Sequence, residues 1–224
     1  MRGLFVTGTD TEVGKTVVTA AVCAALAARG ERVAAFKPVV TGLDEEPGEW
    51  PRDHELLAAA CGAGQAPGDV APHTFGPPVS PHYAAEQAGV TLEPPALVAA
   101  ARRAGDNADI LICEGVGGLL VPLTPGYFIR DLAIDLGLPL LIAARPGLGT
   151  INHTLLTLEA ARAGGLTTAA VVITPWPEEP SGIERSNRRT IETIGNVRVE
   201  GLPPTTPRTL ATAGAKLPLD ELLA

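Results

Sequence analysis

Gly8-Thr9-Asp10-Thr11-Glu12-Val13-Gly14-Lys15-Thr16 is the stretch that decides how the rest of the 224-residue chain is read. It follows a short apolar run, Leu4-Phe5-Val6, and leads into the alanine-rich segment Val17 to Ala28. A buried strand, a glycine-bearing turn and a helix, in that order, are what a phosphate-binding loop requires. Glycine lets the backbone curl so that successive N–H groups point into one concavity. The helix that follows adds the positive end of its dipole. Lys15 supplies a mobile cation for the outer phosphates, and Thr16 a hydroxyl for a magnesium ion. Gly8 and Gly14 are separated by five residues, one more than in the common pattern, and Thr9 stands at the usual first-glycine position. A Gly-Lys-Thr tripeptide alone marks only a helix start with a lysine nearby. The flanking strand and helix are what favour phosphate.

Hydrophobic residues make up 46% of the chain and charged residues 19%, which describes a globular protein. The length suits one large α/β domain spanning residues 1–224. Apolar runs break at Gly, Pro or charge well short of ~18 residues, so no membrane span is expected. The first strand starts almost at the N-terminus, so no signal peptide is expected either. Cys23, Cys61 and Cys113 lie far apart in apolar surroundings and lack metal-ligand spacing. Reduced, buried thiols and a cytoplasmic location follow. A net charge of −8 with no Lys/Arg-rich run argues against a nucleic-acid surface.

Arg29-Gly30 reads as the stop of the first helix. A short strand over 32–36 ends at Lys37-Pro38, followed by Val39 to Gly42 and an acidic, Pro-rich loop over 43–52. Lys37 is either a solvated lysine at a sheet edge or a ligand-facing one, since ligands gather at the carboxyl ends of parallel strands. Asp53 opens an apolar helical run and reads as its N-cap. Residues 62–82 form a loop-heavy insertion before a helix near 83–88, and another helix covers 97–104. The strand Ile110 to Cys113 ends in Glu114-Gly115-Val116-Gly117-Gly118. A carboxylate at a buried strand tip followed by glycines suggests that something approaches the backbone closely. It is also the acidic residue a phosphate-bound magnesium needs. A helix over 129–136 and a strand over 138–143 lead to Arg145-Pro146-Gly147-Leu148-Gly149-Thr150-Ile151-Asn152-His153, which opens a helix over 154–163. That helix start is either a second anion site or a plain cap by Thr150 or Asn152. A strand over 169–173, a helix over 182–194, a strand near 197–202 and a short final helix complete the alternation. Strands apolar on both faces and alternating with helices predict a mostly parallel sheet between helix layers.

Gly8 to Thr16, Lys37-Pro38-Val39, Glu114 to Gly118 and Gly149 to His153 together resemble dethiobiotin synthetase, in that family's order and spacing, over residues 3 to about 205. The resemblance implies a three-layer P-loop NTPase fold with an about seven-stranded, mostly parallel sheet, working as a homodimer. It implies ring closure of dethiobiotin from 7,8-diaminopelargonic acid, CO₂ and ATP with Mg²⁺. By the same resemblance Lys15 and Lys37 bracket a carbamate and the γ-phosphoryl group, and Thr11 and Glu12 face the substrate's amine end. Thr16, Asp53 and Glu114 hold Mg²⁺. The nucleotide is held by Glu12, Val13, Gly14, Lys15, Thr16 and Val17, by Gly115, Val116 and Gly117, and by Thr174, Pro175, Pro203, Pro204 and Thr205. Thr41, where many relatives carry Ser, hydrogen-bonds nearby. Gly149, Thr150, Ile151 and Asn152 receive the substrate carboxylate, reaching into the partner subunit's site.

Alternatives stay open at this point. A ParA/MinD-like ATPase switch shares the fold but normally has an additional lysine early in the loop, and residues 9–13 hold none. An amidotransferase such as cobyrinic acid diamide synthase needs a glutaminase domain for which the chain has no room. A non-catalytic nucleotide-binding module leaves Lys37, Thr41 and the second anion site unexplained. A GTPase lacks its Asn-Lys-x-Asp motif here. One departure from the resemblance has a consequence. Well-known relatives carry Asn-Asp where this chain has Thr174-Pro175, and proline has no N–H to offer the base. Other nucleoside triphosphates are therefore expected to replace ATP better than in Asn-bearing relatives. kcat/KM across the four common triphosphates checks this, and a strict ATP preference refutes it.

Overall fold

The computed structural model describes residues 2–62 and 64–224; Ala63, within the loop expected over 62–82, lies outside the described residues. In chain order the elements are β1 (Gly3–Gly8), α1 (Lys15–Ala28), β2 (Val33–Phe36), β3 (Val39–Val40), α2 (Asp53–Cys61), α3 (Pro67–Val70), β4 (His73–Thr74), α4 (Pro81–Gln87) and α5 (Pro94–Gly105). They continue as β5 (Ile110–Gly118), β6 (Pro122–Thr124), β7 (Tyr127–Phe128), α6 (Ile129–Leu136), β8 (Leu140–Ala144), α7 (Thr150–Ala163), β9 (Thr168–Ile173), α8 (Gly182–Gly195), β10 (Val199–Gly201), α9 (Leu210–Gly214) and α10 (Leu219–Leu222).

Six strands form one parallel sheet in the order β10-β9-β8-β1-β5-β2. Strand alternation sorts its side chains into two cores. Leu4 and Val6 of β1, Ile110 and Ile112 of β5, and Leu141 and Ala143 of β8 pack with α1, α2, α9 and α10. Phe5, Leu111, Cys113, Leu140 and Ile142 point the other way, toward α5 to α8. Both faces are covered, which is why these strands read as continuous apolar runs. All three cysteines are buried and unpaired. Among the described residues no helix is long and apolar enough to cross a membrane.

The sheet has six strands, not the about seven that the resemblance implies. At its β2 edge the Gln65 amide takes the place of a neighbouring strand: Nε2 donates to the Ala35 carbonyl at 2.8 Å and Oε1 accepts from the Ala35 N–H at 3.0 Å. Two residues on, the Lys37 N–H donates to the Val70 carbonyl at 2.8 Å. Beyond Pro38 the chain leaves the sheet, and Val39–Val40 pairs with His73–Thr74 in a separate ladder. Other boundaries also shift. Helix α2 is preceded by Arg52 as its cap, so Asp53 is the first helical residue and its carboxylate is released for other partners. Helix α7 begins at Thr150, four residues before the expected Thr154, because Gly149 takes φ 91° and starts it without any side-chain cap. The β6–β7 hairpin stands where only a turn was expected, and the C-terminal segment forms two short helices.

Helix α1, which carries the loop's lysine and threonine, is held down by α9. At their crossing a Cβ on Gly214 would lie 2.0 Å from the Ala21 carbonyl oxygen. Gly214→Ala is therefore expected to destabilise the protein by about 1–3 kcal/mol, as overpacked core sites do. Urea denaturation measures the loss, and an unchanged midpoint would mean that α9 yields freely.

Candidate active site

In a parallel sheet the strand tips share one edge, so the loops leaving β1, β2 and β5 meet there. The β1–α1 loop is tightly folded. Glu12 and Gly14 both take left-handed φ, 56° and 86°, and a methyl at position 14 would stand 2.6 Å from Thr174 Cγ2. Lys15, 7% exposed, folds back over its own loop, with Nζ donating to the Asp10 carbonyl at 2.9 Å. Burial lowers its pKa from 10.5 to about 8; Glu114 opposes the shift and the neighbouring Lys37 ammonium adds to it.

Lys37 lies one residue beyond β2 and is 4% exposed. Its Nζ donates to Asp53 Oδ2 at 2.5 Å and to Glu114 Oε1 at 2.6 Å. Burial works against its charge, yet the two carboxylates outweigh burial and hold the ammonium above its ordinary pKa. Asp53 shows the reverse balance: burial would raise its pKa, and Lys37 keeps it below the usual carboxylate range. Thr16 Oγ1 donates to the same Glu114 oxygen at 2.8 Å. Glu114 itself is fully buried, and its second oxygen, Oε2, has no partner. Thr16, Lys37, Asp53 and Glu114 thus form one connected cluster, with Lys15 beside it. The glycines after Glu114 run under Thr11: a Cβ on Gly117 would lie 3.7 Å from Thr11 Oγ1.

Next to the loop lies a cavity of about 350 Å³. Glu12, Val13, Gly14 and Val17 line it from the loop and α1, Thr174 and Pro175 from the end of β9, and Pro203, Pro204 and Thr205 from the segment after β10. Trp50 and Arg145 line it too, and no motif marked either of them. The only sequence signal for Trp50 is an aromatic residue closing an acidic loop. Arg145 pairs with Asp10 at 3.2 Å.

Not every expected residue joins this cluster. Thr41, just past β3, makes no side-chain hydrogen bond to it among the described residues. At the N-terminus of α7, Thr150 is buried with its hydroxyl unpartnered, while Asn152 is exposed. Thr150 lines an adjoining cavity of about 380 Å³ with Thr9 and His153, which shares Arg145 and Pro175 with the first, whereas Gly149, Ile151 and Asn152 line neither cavity.

A protein-family model described as AAA domain matches residues 2–210. The ATP-dependent dethiobiotin synthetase BioD of Anoxybacillus flavithermus (strain DSM 21510 / WK1) is 39% identical over 203 residues, 90% of each chain. The enzyme of the same name from Anaeromyxobacter sp. (strain Fw109-5) is 45% identical over 173 residues, 77% of this chain and 76% of that one. The Bacillus subtilis (strain 168) enzyme of that name is 35% identical over 204 residues, 91% and 87% of the two chains. The chain belongs to the dethiobiotin synthetase family. It is an ATP-dependent ligase of that family, with ATP as a substrate. Among solved structures, the MinC:MinD cell division complex of Aquifex aeolicus matches with a TM-score of 0.60 at 13% identity, covering 99% of this chain and 94% of that one. The cell division ATPase MinD of Pyrococcus furiosus matches at 0.58 and 17% identity, over 99% and 98%. At those identities the likeness shows a shared fold; sequence kinship separates the synthetase family from the ATPase switches.

Burial makes the charge of Lys15 a net cost to the fold. A pKa lowered from 10.5 to about 8 corresponds, at ~1.4 kcal/mol per unit, to about 3 kcal/mol of penalty on the charged form. The native pKa lies below the unfolded one. The penalty is therefore full below pH 8, is relieved as pH rises through the window from about 8 to 10.5, and is gone above it. At neutral pH Lys15→Met is expected to stabilise the nucleotide-free protein by up to about 3 kcal/mol while losing ATP binding. Denaturation without nucleotide and calorimetry with ATP check the two halves.

Proposed function

We propose that the chain closes the ureido ring of dethiobiotin from 7,8-diaminopelargonic acid, CO₂ and ATP. One amine of the substrate takes up CO₂ as a carbamate and releases a proton. The carbamate oxygen accepts the γ-phosphoryl group of ATP, and ADP leaves. The second amine then attacks the carbonyl of this mixed anhydride, and the ring closes as phosphate departs and the amine loses its proton. No covalent enzyme intermediate is required, so the protein contributes placement and charge stabilisation. The observation that carries this reading is the buried lysine at the strand tip, kept charged by Asp53 and Glu114.

Lys37 enters the reaction as a cation because its carboxylate neighbours hold its proton. Lys15, which feels the charges of both Glu114 and Lys37, gains a counter-charge when polyphosphate arrives. Between them they bracket the carbamate and the transferring phosphoryl group. Thr11 and Glu12 face the amines. Glu12 to Val17 and Gly115 to Gly117 cradle the phosphates, and Thr174, Pro175 and Pro203 to Thr205 enclose the nucleoside.

The residues present fit Mg²⁺. Thr16, Asp53 and Glu114 are hard oxygen donors of the kind that ion prefers, and the unpartnered Glu114 Oε2 leaves coordinating capacity in the cluster. No group of three His, Cys, Asp or Glu side chains suited to a metal occurs among the described residues. Bound there, Mg²⁺ would neutralise charge on the polyphosphate.

A homodimer belongs to this reading. Leu148 is 99% exposed, Leu156 60% and Leu120 53%. Leu120 and Leu156 line a cavity with Thr9, Asp10, Thr11 and His153. Apolar side chains exposed beside the loop support a second copy covering it. The Gly149-Thr150-Ile151-Asn152 helix start would then receive the substrate carboxylate across the interface, with Thr41 hydrogen-bonding near the amine end. A cytoplasmic setting goes with the three unpaired, buried cysteines.

Phosphate release assayed with ATP and Mg²⁺ tests the reading. Release is expected to require both diaminopelargonate and bicarbonate, and release indifferent to either one refutes it. In the same assay Lys37→Gln is expected to lower kcat by at least ~100-fold, as loss of a preorganised charge does, with the fold retained by circular dichroism. A variant with near-normal kcat would reduce Lys37 to a structural ion-pair partner.

A further inference from the structure

We propose that Trp50 is the stacking platform for the nucleotide base and sets how that base is read. The proposal rests on taking the cavity beside the β1–α1 loop as the nucleoside end of the ATP site.

Residues 44–49, which precede Trp50, are all exposed, whereas Trp50 is half-buried. Its side chain packs against the core cluster that α1 builds, where Val17 also packs. The indole is thus seated on that core at the end of an otherwise solvated segment, and it lines the cavity together with Val17.

The other walls leave few ways to recognise a base by hydrogen bonding. Pro175, Pro203 and Pro204 contribute no N–H. The Thr205 hydroxyl already pairs with the Thr209 hydroxyl at 2.8 Å, and Arg145 is tied to Asp10. Planar heterocycles gain most in such a slot from contact with an aromatic face. Stacking of this kind tolerates every base, because each has a π-face, and removing the aromatic weakens binding by roughly 5- to 150-fold. The alternative is that Trp50 only anchors the 43–52 loop to the core, a role that any large apolar side chain fills.

The experiment uses the full chain with ATP, GTP, CTP and UTP. Trp50→Ala is expected to raise KM for all four by a similar factor, roughly ten-fold, with kcat and the KM for diaminopelargonate essentially unchanged. Trp50→Phe restores most of the loss and Trp50→Leu does not. Inhibition by inorganic tripolyphosphate, which has no base, stays the same in all three variants. The chain has two tryptophans, so in a Trp176→Phe background Trp50 is the sole indole. Its fluorescence is then expected to be quenched by ATP and not by tripolyphosphate. Wild-type KM values in Trp50→Leu, a loss confined to kcat, or no quenching by ATP would each overturn the proposal and leave Trp50 as a packing anchor. Failure of the underlying site reading looks different: Lys15→Met would then bind ATP as tightly as wild type.

Discussion

A fully buried carboxylate in the middle of β5, where the sequence suggested a strand tip, has to be given a cation, and the sheet is arranged so that one is in reach. Phe36 of β2 pairs with Cys113 of β5, so the next rung sets Lys37 beside Glu114. On the far side of β5, Val6 of β1 pairs with Glu114 itself, and the chain that leaves β1 returns as α1 with Thr16 on the same carboxylate oxygen. Removing one partner of such a buried pair typically costs ~3–5 kcal/mol. The β2–β5 adjacency is therefore part of the chemistry: without it Glu114 loses the Lys37 counter-charge.

Two lysines in this cluster carry opposite perturbations for identifiable reasons. Both are nearly buried. Lys37 has two carboxylates at hydrogen-bond distance, whereas Lys15 has a backbone carbonyl as its hydrogen-bond partner and the Lys37 ammonium as a neighbour. The first is satisfied before any ligand arrives; the second is held in a state that an incoming anion improves. Binding free energy can thus come from relief of an existing electrostatic penalty as well as from new contacts.

Much of this was legible in the sequence because the strands are covered on both faces. Such strands read as unbroken apolar runs, and the six runs at 4–6, 32–36, 110–113, 138–143, 169–173 and 197–202 became the six sheet strands. Gly8 to Thr16, Lys37 and Glu114 were legible as well, since glycines and charges at strand tips have few structural uses. What was hidden depends on tertiary contact. The side chain of Asp53 looks like a cap in one dimension, and only the position of Lys37 in space turns it toward an ion pair. The early start of α7 hinges on one left-handed glycine. Trp50 and Arg145 come from unrelated loops, and neither carries a local pattern. The resemblance implied one strand more than the sheet has, because nothing in the linear sequence announces that a glutamine amide will occupy an edge.

That glutamine has a consequence for how copies of the protein can associate. At one margin Gln65 occupies both polar groups of Ala35; at the other, Arg188 donates from its side chain to the carbonyl of Val199. Unpaired strand margins are where β-proteins add a stranger's backbone and grow into filaments. With polar groups at both margins already engaged, continuous cross-molecule ladders are disfavoured, and self-association is steered to the helices and the strand tips.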